Sequence, residues 1–465
     1  MAKKLDQIKF EREGTKVIIP ADMDFAAVAQ WASWMAEQEQ QVVTINERLR
    51  AFPLDGARAF RRACEVKYGI ARHTATEVNG FFGSVKVKPQ LVGVEVAPGQ
   101  TELVPWGRFM VPGIKGWLQT GTDMSAAEPT FIITGEIVAG DRGKVTELMD
   151  LTRQLLRDES IYKGKAFRMD FSYLNRGEFN PSTDHPEFLK LDTTREDQLV
   201  FDAETADKLK MAMWIPIEHR ANCQAAGIPL KRGVLLAGGY GTGKTMTAMV
   251  TAIKAQRHGW TFIYLREASE LPMGLRFAEQ YGPAVVFVED VDRVATGERT
   301  VEMDDLLNTL DGVDTKNGQV MVVLTTNHLE NINRALLRPG RLDAIVTLKP
   351  VDAETAVRLL KAYAGSRLDP QADLSAAGKV LAGHSPAMIR EAIERAKMST
   401  MERGPDEALT SIDVIRGVRL MDEHLALMNT DAPKPPDVLS TVLSTMMGKV
   451  IEEKFESLMR PAPER

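Results

Sequence analysis

The sequence predicts an α/β fold: a parallel-sheet core with a C-terminal helical lid, preceded by an α+β N-terminal domain. Three observations predict it. From about Asp202, short apolar runs (KRGVLLAGG, FIYL, AVVFV, VMVVLTT) alternate with helical patterns, as in a parallel sheet covered on both faces. The first run leads into GGYGTGKT, Gly238–Thr245, a glycine-rich turn between a strand and a helix. After Pro350 the pattern turns all-helical, in roughly four segments reaching Thr430.

Taken in order, the elements give four regions: 1–195, an N-terminal α+β domain that holds a partner; 196–350, the α/β core; 351–430, the helical lid; and 431–465, a linker and a C-terminal helix. KVIIP (Lys16–Pro20) reads as a strand. Phe25 to about Leu49 reads as a helix, with Trp31 and Trp34 one turn apart and assigned to core. Gly80 to about Gly135 is rich in Gly, Pro and short β-like runs. Val145–Glu159 is helical, KAFRMDFSYL is strand-like, and a helix from Glu204 to about Cys223 leads into the core. DAPKPPD (Asp431–Asp437) is a linker by composition. The last helix, about Val438–Leu458, carries a stripe of Leu439, Leu443, Met446 and Val450, expected to pack on its own lid, with contact to a neighbouring subunit or the partner as the alternative. The N-terminal region shows no catalytic constellation, and His73 and His185 are expected at the surface.

Composition narrows the classes. Of 465 residues, 44% are hydrophobic and 26% charged, as in ordinary globular proteins. The net charge of −6 argues against a dedicated nucleic-acid binder, whose affinity comes mostly from basic groups at phosphates. Two cysteines far apart, Cys64 and Cys223, suggest neither a disulfide framework nor a Cys-based metal site, and fit a reducing compartment. The charged start, MAKKLDQIKFEREG, lacks the apolar core of a secretory signal. No apolar run approaches the ~18 residues needed to span a bilayer. A cytoplasmic protein without a membrane segment is expected.

Gly238, Gly239, Tyr240, Gly241, Thr242, Gly243, Lys244 and Thr245 satisfy G-x-x-x-x-G-K-[ST], the loop of P-loop NTPases. Glycines let backbone N–H groups converge on phosphate oxygens, and the following helix offers its positive end. Lys244 would reach the outer phosphates of ATP and Thr245 would ligate Mg²⁺. In VVFVEDVDRV (Val285–Val294) a buried-type strand runs into two carboxylates. Glu289, the first, is expected with Thr245 in the Mg²⁺ shell; Asp290, the second, is expected to orient or polarise the attacking water. Asn327 ends the strand VMVVLTT, where an amide can help place a water. Arg338 and Arg341 flank Pro-Gly at a turn, and guanidinium groups stabilise charge developing in phosphoryl transfer.

Together these pieces resemble the AAA family of ATPases. GIPLKRGVLLAGGYGTGKT is similar to that family's lead-in and Walker A loop, and NHLENINRALLRPGRLD to its second region of homology. The resemblance covers roughly Asp202–Thr430. It implies that Asn327 is sensor 1, and that Arg338 and Arg341 are arginine fingers acting in trans on ATP held by a neighbouring subunit. It also implies a homo-oligomeric ring of six or seven subunits. Within the family, the branch of the mitochondrial Rieske-protein translocase resembles this chain in its Glu-Asp order, in LLNTLDGV (Leu306–Val313), and in the layout upstream of the core. The chain departs from that branch in having no transmembrane helix before the N-terminal half. Pro272–Gly282 is short where threading members carry an aromatic pore loop, and the lid sequence GHSPAMIREAIERA resembles sensor 2 only loosely, with Arg390 displaced.

The expected activity is therefore ATP hydrolysis by a ring that remodels or moves an unidentified protein partner. Two alternatives are a nucleic-acid-associated ATPase, which DNA or RNA would stimulate, and a nucleotide-controlled switch or scaffold with low turnover.

Overall fold

A computed structural model describes residues 11–13, 16–18, 25–80, 83–124, 129–171, 180, 183–293, 310, 319–338, 340–369, 371–401, 403–404 and 407–421. The chain divides into two compact units, Met1–Lys349 and Pro350–Arg465.

In the first unit an antiparallel sheet is built from β1 (Val42–Leu49), β2 (Arg72–Thr74), β3 (Arg108–Met110), β4 (Gly116–Asp123) and β5 (Thr130–Val138), in the order β1-β5-β4-β3-β2. Two helices follow the chain around it, α2 (Pro53–Tyr68) and α3 (Arg142–Asp158), after an earlier helix α1 (Phe25–Gln40). Residues 25–49 were expected as one helix. The helix ends at Gln40, and Val42–Leu49 is an edge strand paired over its whole length with β5. Its β-branched start, VVTI, favours the pleated surface over a helix. Trp34 is about half exposed, so it is not the core residue expected.

Helix α2 has no counterpart among the sequence-predicted elements. Pro53 sits in its first turn, where the missing N–H costs nothing, and Phe60, Ala63 and Cys64 are fully buried. Gly56 lies against the sheet: a Cβ there would come within 2.2 Å of the Phe131 ring. His73 is half-buried, with Nε2 bonded to the Trp106 carbonyl at 3.0 Å and its ring stacked on Phe109, which corrects the surface assignment.

The second sheet contains β6 (Ala166–Arg168), β7 (Glu187–Phe188), β8 (Arg232–Ala237), β9 (Thr261–Leu265), β10 (Ala284–Val288), β11 (Val320–Thr326) and β12 (Ala344–Thr347), in the order β7-β6-β9-β10-β11-β8-β12. All neighbours are parallel except β6 and β7. Strands β8 to β11 are almost wholly buried, which is why they read as unbroken apolar runs. The expected core boundary at residue 196 falls inside this sheet, because β6 and β7 arrive from upstream and extend it past β9. The approach helix also differs. Asp202 caps it through the Thr205 N–H, a π turn occupies Lys210–Trp214, and the chain breaks at His219 before resuming at Arg220.

The two sheets share one hydrophobic core. At the joint, Tyr162 packs edge-on against Phe52, Phe167, Phe277 and Tyr281. The Tyr281 hydroxyl accepts the Phe52 N–H at 2.8 Å and is hydrogen-bonded to Asp55. Asp55, 1% exposed, also accepts from Ile161 N at 2.9 Å and Ser160 Oγ at 2.7 Å. Burial pushes its carboxyl up to about 6, against the pull of those bonds.

The second unit is helical, with α6 (Ala353–Ala364), α7 (Ser375–Leu381), α8 (Pro386–Thr400) and α9 (Ser411–Arg419) following helices α4 (Lys244–Arg257) and α5 (Leu271–Gln280) of the first. Asp352, Ser385 and Thr410 cap three of them through side-chain oxygens. The expected linker and C-terminal helix, with Leu439, Leu443, Met446 and Val450, lie outside the described residues, as does most of the segment between β10 and β11, including LLNTLDGV apart from Leu310. No helix among the described residues is long and apolar enough to cross a membrane.

Candidate functional site

The site forms at the carboxyl edge of the second sheet, where β8, β10 and β11 end side by side. After β8 the chain turns through Gly238–Gly243 into α4. This turn fits a phosphate. Gly241 (φ 74°) and Gly243 (φ 105°) take left-handed conformations that side chains resist, and a Cβ at Gly238 would meet the Leu348 carbonyl at 2.6 Å. Gly239 faces open space and Tyr240 is 72% exposed, so the outer rim of the loop is accessible. Thr242 Oγ1 is turned inward and donates to the Gly239 carbonyl at 2.9 Å.

Lys244 opens α4. Its Nζ donates to the carbonyls of Gly238 (2.6 Å) and Gly239 (2.9 Å) and to Asn327 Oδ1 (2.7 Å). Burial holds its ammonium below the usual lysine range, and the nearby carboxylates of Asp290, Glu289 and Asp292 oppose that shift. One residue on, Thr245 Oγ1 donates to Glu289 Oε1 at 2.7 Å. Hydroxyl and carboxylate are hard oxygen donors of the kind Mg²⁺ takes. Among the described residues no group of three or more His, Cys, Asp or Glu is placed to hold a metal ion by itself.

Asp290 has φ 48°, a left-handed backbone that only this non-glycine residue adopts among those described. Two bonds hold it there: its N–H donates to Thr325 Oγ1 at 3.1 Å, and its Oδ1 accepts from Asn327 Nδ2 at 2.9 Å. The Asn327 amide therefore joins Lys244 on one side to Asp290 on the other, and its own N–H donates to Asp292 Oδ1 at 3.3 Å. Lys244, Asn327 and Asp290 thus form one hydrogen-bonded chain, and the Thr245–Glu289 pair stands beside it, one residue along from Lys244 and from Asp290.

Three residues of this site escaped the sequence reading. Tyr264, on β9, is hydrogen-bonded to Glu289 through its hydroxyl, and its ring stacks on Phe287. Burial, then the bond to Glu289, raise its pKa. Thr325 and Asp292 support Asp290 and Asn327 as described. The signal for Thr325 and Asp292 was present, as polar residues at the ends of apolar strands; Tyr264 sits inside a strand and gave none.

The two arginines lie elsewhere. Arg341 crosses the start of β8, where a Cβ on Gly233 would fall 1.8 Å from the Arg341 carbonyl oxygen. Gly233 and Gly238 are five residues apart along a strand, so about 17 Å of sheet separates this turn from the phosphate loop. Arg341 Nη1 donates to the Ala335 carbonyl at 2.8 Å, and Arg338 is exposed. Arg390 is exposed on α8 of the second unit. Pro272–Gly282 forms α5 and the turn after it: Leu271 is buried, and Gly274 lies against the Leu265 side chain, so the helix packs on β9 without an intervening loop.

Residues 234–350 match the family model described as ATPase family associated with various cellular activities (AAA). The chain is 34% identical over 177 residues to a 26S proteasome regulatory subunit 4 homolog of Oryza sativa subsp. japonica, covering 34% of this chain and 39% of that protein. It is 29% identical over 212 residues to a 26S proteasome regulatory subunit 8 homolog of Schizosaccharomyces pombe (41% and 52%), and 30% identical over 229 residues to the proteasome-activating nucleotidase of Aeropyrum pernix (44% and 55%). The chain thus spans about half or less of the length of these relatives. They are proteasomal proteins and not the Rieske-protein translocase branch, so the likeness to that branch gives way to the broader placement. Across residues 234–350 the chain carries a domain of the AAA ATPase family.

Proposed function

We propose that this chain is an ATP-hydrolysing AAA protein that works as a homo-oligomeric ring and remodels or moves a protein partner. The observation that carries the reading is the division of the machinery: five functional side chains converge at one edge of the sheet, and the Arg341 backbone crosses the opposite end of β8. An arginine so placed completes a site only if that site belongs to a neighbour.

Bound ATP with Mg²⁺ would supply the phosphoanhydride to be broken. The N–H groups of Gly239–Thr245 and the end of α4 bind phosphate oxygens. Lys244 exchanges its bonds to the Gly238 and Gly239 carbonyls for charged phosphate oxygens. Thr245 and Glu289 would hold the metal, and Tyr264 restrains Glu289. Asp290, fixed by Thr325 and Asn327, orients the attacking water and accepts its proton. Arg338 and Arg341 reach the adjoining subunit's site, where a finger contributes ~10³–10⁵ in rate. The names of the relatives, regulatory subunits and a nucleotidase that activates the proteasome, support a protein partner over a nucleic acid. The two free, buried cysteines support a reducing, cytoplasmic setting.

Subunit mixing tests this. Arg341→Ala should bind ATP and turn over poorly; Lys244→Ala should fail to bind. Exchanged into one assembly they should regain part of the activity, since an intact loop then meets an intact finger. Fully exchanged mixtures no more active than either variant would remove the ring mechanism.

A further inference from the structure

At the joint between the two sheets lies a cavity of about 320 Å³, apart from the ATPase site, lined by the end of β1 and the residues after it, the end of α3, Lys163 and the end of α5. Its floor is Leu49, Ala51 and Tyr281, and its walls hold five cations: Arg48, Arg50, Arg153, Arg157 and Lys163. In a chain of net charge −6 this is a local reversal. Two of the five have carboxylate partners: Arg48 pairs with Asp123, and Arg153 with Glu47 and Asp150. Arg50, Arg157 and Lys163 have no ion pair among the described residues.

The ordinary duty of such residues is to offset helix C-termini, and here two helices end at the cavity. Lys163 Nζ does donate to the Arg157 carbonyl at 3.4 Å. A helix end carries about −0.5 charge. Two ends account for about one of the three cations without a carboxylate, so a surplus of about two positive charges remains.

We infer that this cavity binds a small phosphate-bearing molecule, with Arg50, Arg157 and Lys163 on the phosphate oxygens. The guanidinium forks of Arg50 and Arg157 suit phosphate geometry. The volume suits a compact ligand in place of a nucleic-acid strand, which needs a basic track. The site is built from both halves of the first unit, and its floor residue Tyr281 is the one that bonds Phe52 and Asp55 across the joint. A ligand here therefore reports on, and braces, the connection between the N-terminal sheet and the ATPase core.

The test uses the full chain with Lys244→Ala, so that the phosphate loop is silent, and inorganic pyrophosphate as the probe in titration calorimetry. One saturable site per chain is expected. Arg157→Gln should weaken it about tenfold, as for loss of one charge-assisted bond, and Arg50→Gln with Arg157→Gln and Lys163→Gln should abolish it. All three side chains are exposed, and circular dichroism checks the fold. Lys208→Gln, on an exposed lysine paired with Glu204, should change nothing. Repeating the titration with ADP distinguishes sources: tighter binding than pyrophosphate identifies a nucleotide, equal binding an inorganic or simpler phosphate. Absence of saturable binding, binding untouched by the triple substitution, or affinity that grows with the length of a single-stranded oligonucleotide would each overturn the inference.

Discussion

Replacing Asp55 with Asn should make the protein's stability less sensitive to pH. Asp55 is fully enclosed and its carboxyl is raised from 3.8 to about 6, first by desolvation. A carboxyl whose pKa is higher folded than unfolded holds its proton more tightly in the folded state. Its contribution is therefore fully present below about pH 4 and is lost as pH rises through about 6. At about 1.4 kcal/mol per unit, a shift of about two units makes the loss about 3 kcal/mol at neutral pH. Asn keeps an oxygen for the Ile161 N–H and offers an NH₂ to the Ser160 and Tyr281 oxygens, so the bonds survive while the titration does not. Urea unfolding of both proteins between pH 4 and 7.5 isolates the effect, because every other titrating group cancels in the difference. The variant should gain on the parent by about 3 kcal/mol across that range, most of it between pH 4 and 6.5. A difference that stays flat, or that favours the parent increasingly as pH rises, would refute the assignment of a proton to Asp55.

Tyr281→Phe removes the hydroxyl that bonds Phe52 N and Asp55, leaving a buried N–H unmet; it should cost about 2–3 kcal/mol, read as a lowered melting temperature with the ATP site intact. Lys244→Ala should weaken ATP binding severely, measured by nucleotide titration; near-parental affinity would contradict the site. Asp290→Asn should bind ATP with Mg²⁺ yet hydrolyse it very slowly, whereas Glu289→Gln should raise the Mg²⁺ concentration needed for half-maximal turnover; the reverse pattern in steady-state assays would exchange their roles.

The candidate nucleotide site was legible because its information is local. A glycine loop between a buried strand and a helix, and acids immediately after an apolar run, carry their meaning within about ten residues. The joint is the opposite case. Phe52 and Tyr281 meet across 229 positions, and Asp55 and Ile161 across 106. Nothing near any one of them signals the others. Helix α2 carries Gly56 in its first turns, and what that glycine does, letting the helix lie against Phe131, depends on a strand 75 residues away. Strand β1 was absorbed into the preceding helix because only Gln41 separates them. The extra strands β6 and β7 are three and two residues long, and their pairing is fixed by β9 and by each other, not by pattern.

Strand β6 also has a mechanical meaning. The segment leaving the N-terminal sheet does not dangle between two bodies; it is bonded in parallel register to β9 and sealed by the ring of Tyr162. A swivel needs a joint that can turn without breaking anything, and here any turn would strip hydrogen bonds from the ATPase sheet. On the ring reading proposed above, the N-terminal sheet and the sheet that carries the phosphate loop would move together as a single stiff lever.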